Sequence, residues 1–348
     1  MRYPFAENQP RLVGQSNLVD NQRPRFGLFS ALYVFRRSYI IPVCLDNPQY
    51  TQQLNMAPPT ATETLANAIS MQAPQSSQAE GAEKAKVKMP LPSMPAFEDK
   101  MKEREYLKGR LAAAFRIFGD KGYDEGVAGH ITLRDPVDPT TFWVNPFGTA
   151  FKLMKASDLI QVDHHGNVIA GGENRLLNAA AFMIHSAIHE ARPEVNCAAH
   201  SHSLHGRAFC SLGRPLDIIS QDACAFHNDQ DLALYSSFKG VVLAEEEGQN
   251  IAKALGNKKA ALLQNHGLLT VGNTIEETVF WFVSLEKCCY AQLLADAAAT
   301  GRGGQTVKIE EADAAFTYKT VGTPMAGWFS AKPLFDVIHA ESKGEYLE

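Results

Sequence analysis

Cysteine is scarce in this chain and badly placed for cross-linking. The 348 residues include six, Cys44, Cys197, Cys210, Cys224, Cys288 and Cys289, with no C-x-x-C pair and no regular spacing. That pattern excludes a disulfide frame and a cysteine-rich zinc site, and it reads as reduced thiols in a cytoplasmic core. Excess positive charge is missing as well. Lys and Arg number 33 against 38 Asp and Glu, and the sequence pI is about 6.1. With no basic stripe in the central region, nucleic acid is excluded as the main partner. No apolar run is long enough to span a membrane. "FGLFSALYVF", residues 26–35, is too short and meets Arg36 and Arg37 at once. Internal repeats are absent too. What remains, 45% hydrophobic and 20% charged residues, is the balance of a soluble globular chain with an ordinary core.

The first third differs from the rest. Residues 1–45 carry Arg2, Arg11, Arg23, Arg25, Arg36 and Arg37 but only Glu7 and Asp20 as acids. An arginine-rich, acid-poor start is one mark of a mitochondrial transit peptide, yet Pro4, Pro10 and Pro24 interrupt the amphipathic period it needs. Between residues 47 and 96, seven prolines punctuate a Gln-, Ala- and Ser-rich stretch whose only aromatic is Tyr50. Such a composition buries too little apolar surface to offset chain entropy. Residues 1–96 are therefore expected to be a disordered or weakly structured extension and linker. A folded domain is expected over 97–300, and a C-terminal extension over 301–348 that packs on the domain or on a neighbouring subunit through Phe316, Trp328 and Phe335.

The domain itself alternates helix and strand. Met101, Leu107, Leu111, Ala114, Phe115 and Phe118 share one face at period 3.6, which predicts a helix ended by Gly119 and Gly122. "HITLRD" and "TFWVNPFG" read as strands around a Pro-rich turn. "DLIQVDHHGNVIAGG" reads as a hairpin with His164 and His165 exposed at its turn. "NAAAFMIHSAIHEARPE" is helical and stops before Pro193. "VNCAAHSH" is a buried strand, "SLHGRAFCSLG" a short helix and "RPLDIISQDACAF" another strand. After an acidic turn, residues 240–272 give strand, helix, strand, tight turn, strand. Thr274 and Glu277 form a capping box that opens a long helix. Its buried face is expected to hold Val279, Phe282, Val283, Leu293 and Leu294. This order favours an α/β fold with a mainly antiparallel sheet flanked by helices.

Three of the eleven histidines crowd into "NCAAHSHSLHG". Strand residues at i and i+2 face the same way, so His200 and His202 project together. Two imidazoles on one rigid face make half of a zinc site. His266, in the polar Asn-His-Gly break between two apolar strands, is the candidate third ligand, and Gly267 lets the backbone approach closely. His205 is an alternative ligand. The pair His185 and His189, at i and i+4, lacks the glutamate after the first histidine that a metalloprotease helix needs. They are expected to pack over the site or face solvent.

Three segments, "GVAGHITLRDP", "RPEVNCAAHSHSLHG" and "ALLQNHGLLTVG", together resemble the class II aldolase/adducin family. The resemblance covers roughly residues 100–298. It implies a three-layer α/β/α fold with a central, mostly antiparallel sheet. It also implies zinc, or another divalent transition metal, held by His200, His202 and His266, and often a cyclic tetramer. Zinc with three protein ligands keeps an open position, and a substrate with adjacent carbonyl and hydroxyl oxygens can chelate there. The resemblance places substrate contacts at Gly129, His130 and Asn178.

The chain departs from the family pattern at these contacts. The aldolases carry a glutamate at the start of the helix before the H-x-H strand, where this chain has Asn178. Loss of a general base costs ~100-fold to ~10,000-fold in rate. Leu176 and Leu177 replace the phosphate-binding serines, Gly129-His130 replaces Gly-Asn, and the family's tyrosine is not evident in "RPLDIISQDACAF". His130, Asp222, Glu173 and His227 are the candidate replacement bases. Two readings follow. One is a zinc-dependent lyase or isomerase for a small oxo/hydroxy substrate other than a standard sugar phosphate, in the cytoplasm. The other is a non-catalytic scaffold resembling adducin that binds actin and the cytoskeleton. The intact histidine trio favours the enzyme.

Overall fold

A computed structural model describes residues 92–227, 231–238, 240 and 245–348. The chain falls into two units, Met1–Ala57 and Pro58–Glu348. The first unit, the arginine-rich start and almost all of the expected linker lie outside the described residues.

Helix α1 (Lys100–Asp120) begins where Asp99 caps it, its carboxylate accepting from Met101 N at 2.8 Å. Burial sets in at Gly109 and runs through Phe118, while Met101 stays 51% exposed, contrary to expectation. The apolar period is present there, but no described residue buries Met101 in the first turn. Strands β1 (His130–Arg134) and β2 (Thr141–Val144) follow. The hairpin β3 (Ile160–Asp163) and β4 (Val168–Gly171) turns through Gly166 at φ 82°, with His164 and His165 exposed. Helix α2 (Ala179–Ala191), strand β5 (Cys197–Ser201) and helix α3 (Leu204–Cys210) come next. Then β6 (Leu232–Tyr235), α4 (Glu245–Leu255), β7 (Ala260–Leu263) and β8 (Gly267–Gly272) complete the described strands. Helices α5 (Ile275–Thr300), α6 (Glu311–Val321) and α7 (Pro324–Ser342) close the described chain.

The eight described strands form one sheet in the order β4-β3-β2-β1-β5-β8-β7-β6, antiparallel throughout except for the parallel pair β6–β7. This is the mostly antiparallel sheet flanked by helices that the sequence predicts. Alternate side chains of the buried central strand β5 feed two cores. Cys197 and Ala199 join Phe115, Phe118 and Phe282 on the α1/α5 side. Ala198 joins Ile184, Ile188 and Ile251 on the α2/α4 side. His200 therefore falls on the α2 side.

The capping box of α5 is present, with Glu277 N donating to Thr274 Oγ1 and Thr274 N to Glu277 Oε1, each at 3.2 Å. Val279, Phe282 and Val283 are buried, but Leu294 is 55% exposed, because it falls on the solvent face of α5 with Lys287, Tyr290 and Ala291. Helix α7 lies on α5, and Gly327 permits the contact: a Cβ there would sit 2.5 Å from Trp281. Phe335 is buried, whereas Phe316 is 49% exposed.

Two strand expectations need correction. Residues 214–226 form no strand; they run irregularly into a 3-10 turn, Asp222–Phe226. Leu216, Ile218 and Phe226 are buried all the same. An apolar run reports burial rather than a ladder, and the Ile218 carbonyl is taken by Ile309 N at 2.8 Å instead of by a strand. Conversely, the short strand β6 arises within what the sequence reads as an acidic turn. The next strand, expected from residue 240, lies at 241–244 outside the described residues. Among the described residues no helix is long and apolar enough to cross a membrane.

Candidate metal centre

β5 carries His200 inside the strand and His202 just past its end, where the chain turns into α3. His266 comes from the tight turn between β7 and β8. That turn needs Asn265 in the left-handed region at φ 57°, and His266 N donates to Leu263 O at 3.0 Å. β5 and β8 are hydrogen-bonded neighbours, so the strand end and the turn meet. Gly267 makes the approach close enough. A Cβ at that position would lie 2.5 Å from the Ser201 carbonyl and 3.4 Å from both His200 and His202.

The three rings stand 5.1 Å (His200–His202), 4.7 Å (His200–His266) and 4.9 Å (His202–His266) apart. One nitrogen from each lies within 4.8 Å of the others. Zinc–nitrogen bonds of ~2.0–2.1 Å could gather such a trio with small side-chain rotations. His200 Nδ1 donates to the Leu268 carbonyl at 2.8 Å, which leaves Nε2 bare. Burial is the first cause of a lowered pKa at all three. It drives His200 far down, with the other imidazoles adding to the effect, and brings His266 to about 4. At His202 the Arg207 charge lowers the pKa further. All three rings are neutral at neutral pH, so the donor set suits a divalent ion.

These histidines line a cavity of about 610 Å³. Gly129, His130 and Asn178 line it too. Gly129 takes φ 99°, with the His200 carbonyl 3.4 Å from where a Cβ would stand. Asn178 caps α2, its Oδ1 accepting from Ala181 N at 3.2 Å. His130 pairs in register with His200 across β1 and β5 and is 2% exposed. Neither of its ring nitrogens meets a hydrogen-bond partner of good geometry among the described residues. Burial brings its pKa to about 3, opposed by the backbone of Ala181.

Of the candidate bases, only His130 lines this cavity; Asp222, Glu173 and His227 do not. His227 pairs with Glu311 at 3.0 Å. His205 is held by Glu286 at 3.0 Å and stacked on Tyr290, outside the trio. His185 and His189 do not face solvent; both are buried behind His130. Arg207, Asn265, Leu204 and Phe238 also line the cavity, and sequence reasoning missed them. Leu204 and Phe238 are 59% and 54% exposed at its wall, and no spacing signal marks either. Arg207 pairs with Glu125 at 3.0 Å. Among the described residues no carboxylate lines the cavity.

The class II aldolase and adducin N-terminal domain model matches residues 109–293. The decarboxylase NovR from Streptomyces niveus is 42% identical over 243 residues, 70% of this chain and 87% of that protein. A solved structure, the L-fuculose 1-phosphate aldolase from Glaciozyma antarctica PI12, is 53% identical. It covers 73% of this chain and 96% of its own, with a TM-score of 0.67. Alpha-adducin from Rattus norvegicus is 33% identical over 202 residues, 58% of this chain but 27% of that protein.

Proposed function

This chain belongs to the class II aldolase/adducin family, and from that premise we propose that it is a zinc-dependent lyase that breaks a carbon–carbon bond beside a carbonyl. The substrate carries adjacent carbonyl and hydroxyl oxygens and no phosphate. The observation that carries this reading is the trio of neutral imidazoles at the wall of a cavity that no described carboxylate lines.

His200, His202 and His266 hold the ion in this reading. When bound, it supplies Lewis acidity to the carbonyl oxygen. The remaining residues bind and orient. Asn178 offers a hydrogen bond but cannot take a proton, and its Oδ1 is committed to the helix cap. His130 brings the lone pair that a substrate hydroxyl needs. Ile184, Leu204 and Phe238 pack the body of the substrate and exclude water. Arg207 is engaged with Glu125, and Leu176 and Leu177 stand at the family's phosphate position, which supports an unphosphorylated substrate. The printed names of two relatives, a decarboxylase and an aldolase, both denote carbon–carbon cleavage.

The adducin-like reading, with actin as partner, draws on a match to about a quarter of alpha-adducin. It leaves the histidine trio without a use, so the enzyme is preferred. A homo-oligomer and a cytoplasmic setting belong to the same proposal.

The test is a substrate screen on zinc-loaded protein. Cleavage products are expected from unphosphorylated hydroxy-carbonyl compounds, with L-fuculose 1-phosphate turned over at least ~100-fold more slowly. Efficient cleavage of L-fuculose 1-phosphate would overturn the substrate class. Actin co-sedimentation by the metal-free protein would favour the scaffold.

A further inference from the structure

Next to His202 in the chain, a buried carboxylate takes over a task that local sequence assigns to a serine. Ser203 stands at the cap position of α3. A serine there ordinarily accepts from the backbone N–H two or three residues on, which here belong to His205 and Gly206. Ser203 makes no such bond. Its hydroxyl donates instead to Glu286 Oε2 at 2.5 Å. Glu286 also accepts from the two amides that the serine leaves, Gly206 N to Oε2 at 2.6 Å and His205 N to Oε1 at 2.9 Å. The His205 ring adds a fourth donor, Nδ1, at 3.0 Å from Oε1. A carboxylate only accepts, so His205 carries a proton on Nδ1.

Glu286 belongs to α5 and is 4% exposed. A charged group so buried is tolerated only where donors satisfy it, and all its described hydrogen bonds go to residues 203–206. Tyr290, one turn further along α5, stacks on the His205 ring with centroids 4.0 Å apart. Helix α5 is itself anchored in the core that Phe282 shares with Cys197 and Ala199 of β5. Glu286 therefore ties the chain just past His202 to the body that carries His200. The two ligands are held differently. His200 is fixed by its own bond to the Leu268 carbonyl. At His202 the bonds are made by the buried serines on either side: Ser201 Oγ donates to the Tyr123 carbonyl, and Ser203 Oγ to Glu286. Leu204, Arg207, Ala208 and Ser211, the cavity side of α3, hang from the same attachment.

We propose that Glu286 is a positioning residue of the metal centre: from α5 it fixes Ser203, and so holds the His202 imidazole where an ion can share it with His200 and His266. The proposal rests on the reading of that trio as a metal site. Its consequence is that metal affinity depends on a side chain that touches neither the ion nor the substrate. A local serine cap would satisfy the same amides, but it would leave the start of α3 unattached to α5.

Zinc titration of the full chain at neutral pH, with folding followed by circular dichroism, tests this. Glu286→Gln keeps the shape of the side chain but sets an amide NH2 against N–H donors, and it is expected to bind zinc about tenfold more weakly than wild type. Ser203→Ala removes one donor and keeps the charge. A fall in its affinity, in the same direction, separates position from long-range attraction. Thr274→Ala, which removes the cap of the same helix α5, loses stability but should bind zinc as wild type does. The visible absorption of the cobalt(II) form reports the ligand geometry directly. It should change in Glu286→Gln and stay the same in Thr274→Ala. If Glu286→Gln does not fold, Ser203→Ala decides. Wild-type affinity in the folded variants overturns the proposal and leaves the metal reading standing, as does an equal loss in Thr274→Ala. Wild-type protein that takes up no zinc overturns both.

Discussion

His130 and His200 are cross-strand partners, in register on β1 and β5, with their rings 5.5 Å apart. His200 belongs to the proposed ligand set, and His130 lines the cavity beside it. The pair ties the metal centre to the sheet, because each ring is held by a strand rather than by a loop. Sites on rigid elements keep their geometry better than sites on loops, and the following outcomes depend on that geometry.

Metal content follows the trio. Protein equilibrated with zinc and dialysed is expected to retain about one ion per chain. His200→Ala or His266→Ala should reduce this to near zero, read by elemental analysis. Zinc at ~100 times its dissociation constant should stabilise the wild type by about 2.7 kcal/mol and the variants hardly at all. Wild-type protein that retains no metal would remove the basis of the proposed function.

Gly267 sets the approach of the turn to β5. In Gly267→Ala the added methyl meets the Ser201 carbonyl, whose backbone cannot yield easily. A loss of ~1–3 kcal/mol is expected in urea unfolding, together with weaker zinc binding. Unchanged stability and metal content would show that the strands have room to part.

Asn178 has two separable roles. As the cap of α2 it satisfies Ala181 N. Asn178→Ala should cost about 1 kcal/mol, and Asn178→Asp should restore most of that. Asn178→Asp also brings a carboxylate to the cavity, so its turnover of L-fuculose 1-phosphate should rise above the wild-type level. Equal stability of Asn178→Ala and wild type would refute the capping role.

Acid should destabilise the fold through His189. Burial, and then the Arg134 charge, lower its folded pKa to about 3, with the Val195 carbonyl opposing. Unfolded, the ring titrates near ~6.5. Above that value it is neutral in both states, and its contribution is complete. Between about 6.5 and about 3 the unfolded chain holds a proton that the folded chain refuses, so stability falls as the pH falls through that window. At about pH 5 the loss from this residue is about 2 kcal/mol. Urea unfolding of wild type and His189→Gln, compared at about pH 7.5 and about pH 5, should show the larger loss in wild type. Equal losses would acquit His189.

Much of the fold was legible because local pattern and tertiary role agreed. The β1–β2 and β3–β4 pairs, the stop of α2 before Pro193 and the Thr274–Glu277 box all rest on short-range chemistry. Residues 214–226 misled because buried apolar side chains look alike with or without a ladder. β6 was missed because a strand of four residues leaves little period to detect. Met101 keeps the helical period in a turn that no described residue buries, and Leu294 falls on the solvent face of its helix beside Lys287 and Tyr290.

By itself the sequence determined the donor chemistry: which residues carry imidazoles, that His200 and His202 share a face, and that a glycine follows His266. A strand's two-residue repeat and a polar break between apolar runs are properties of the chain alone. Only the tertiary structure decided that β5 and β8 are neighbours and that His266 meets the pair. It alone kept carboxylates from the described cavity wall and buried His185 and His189 behind His130. Those facts turn on which strands and helices pack together, and residues distant along the chain carry no local signal of their partners.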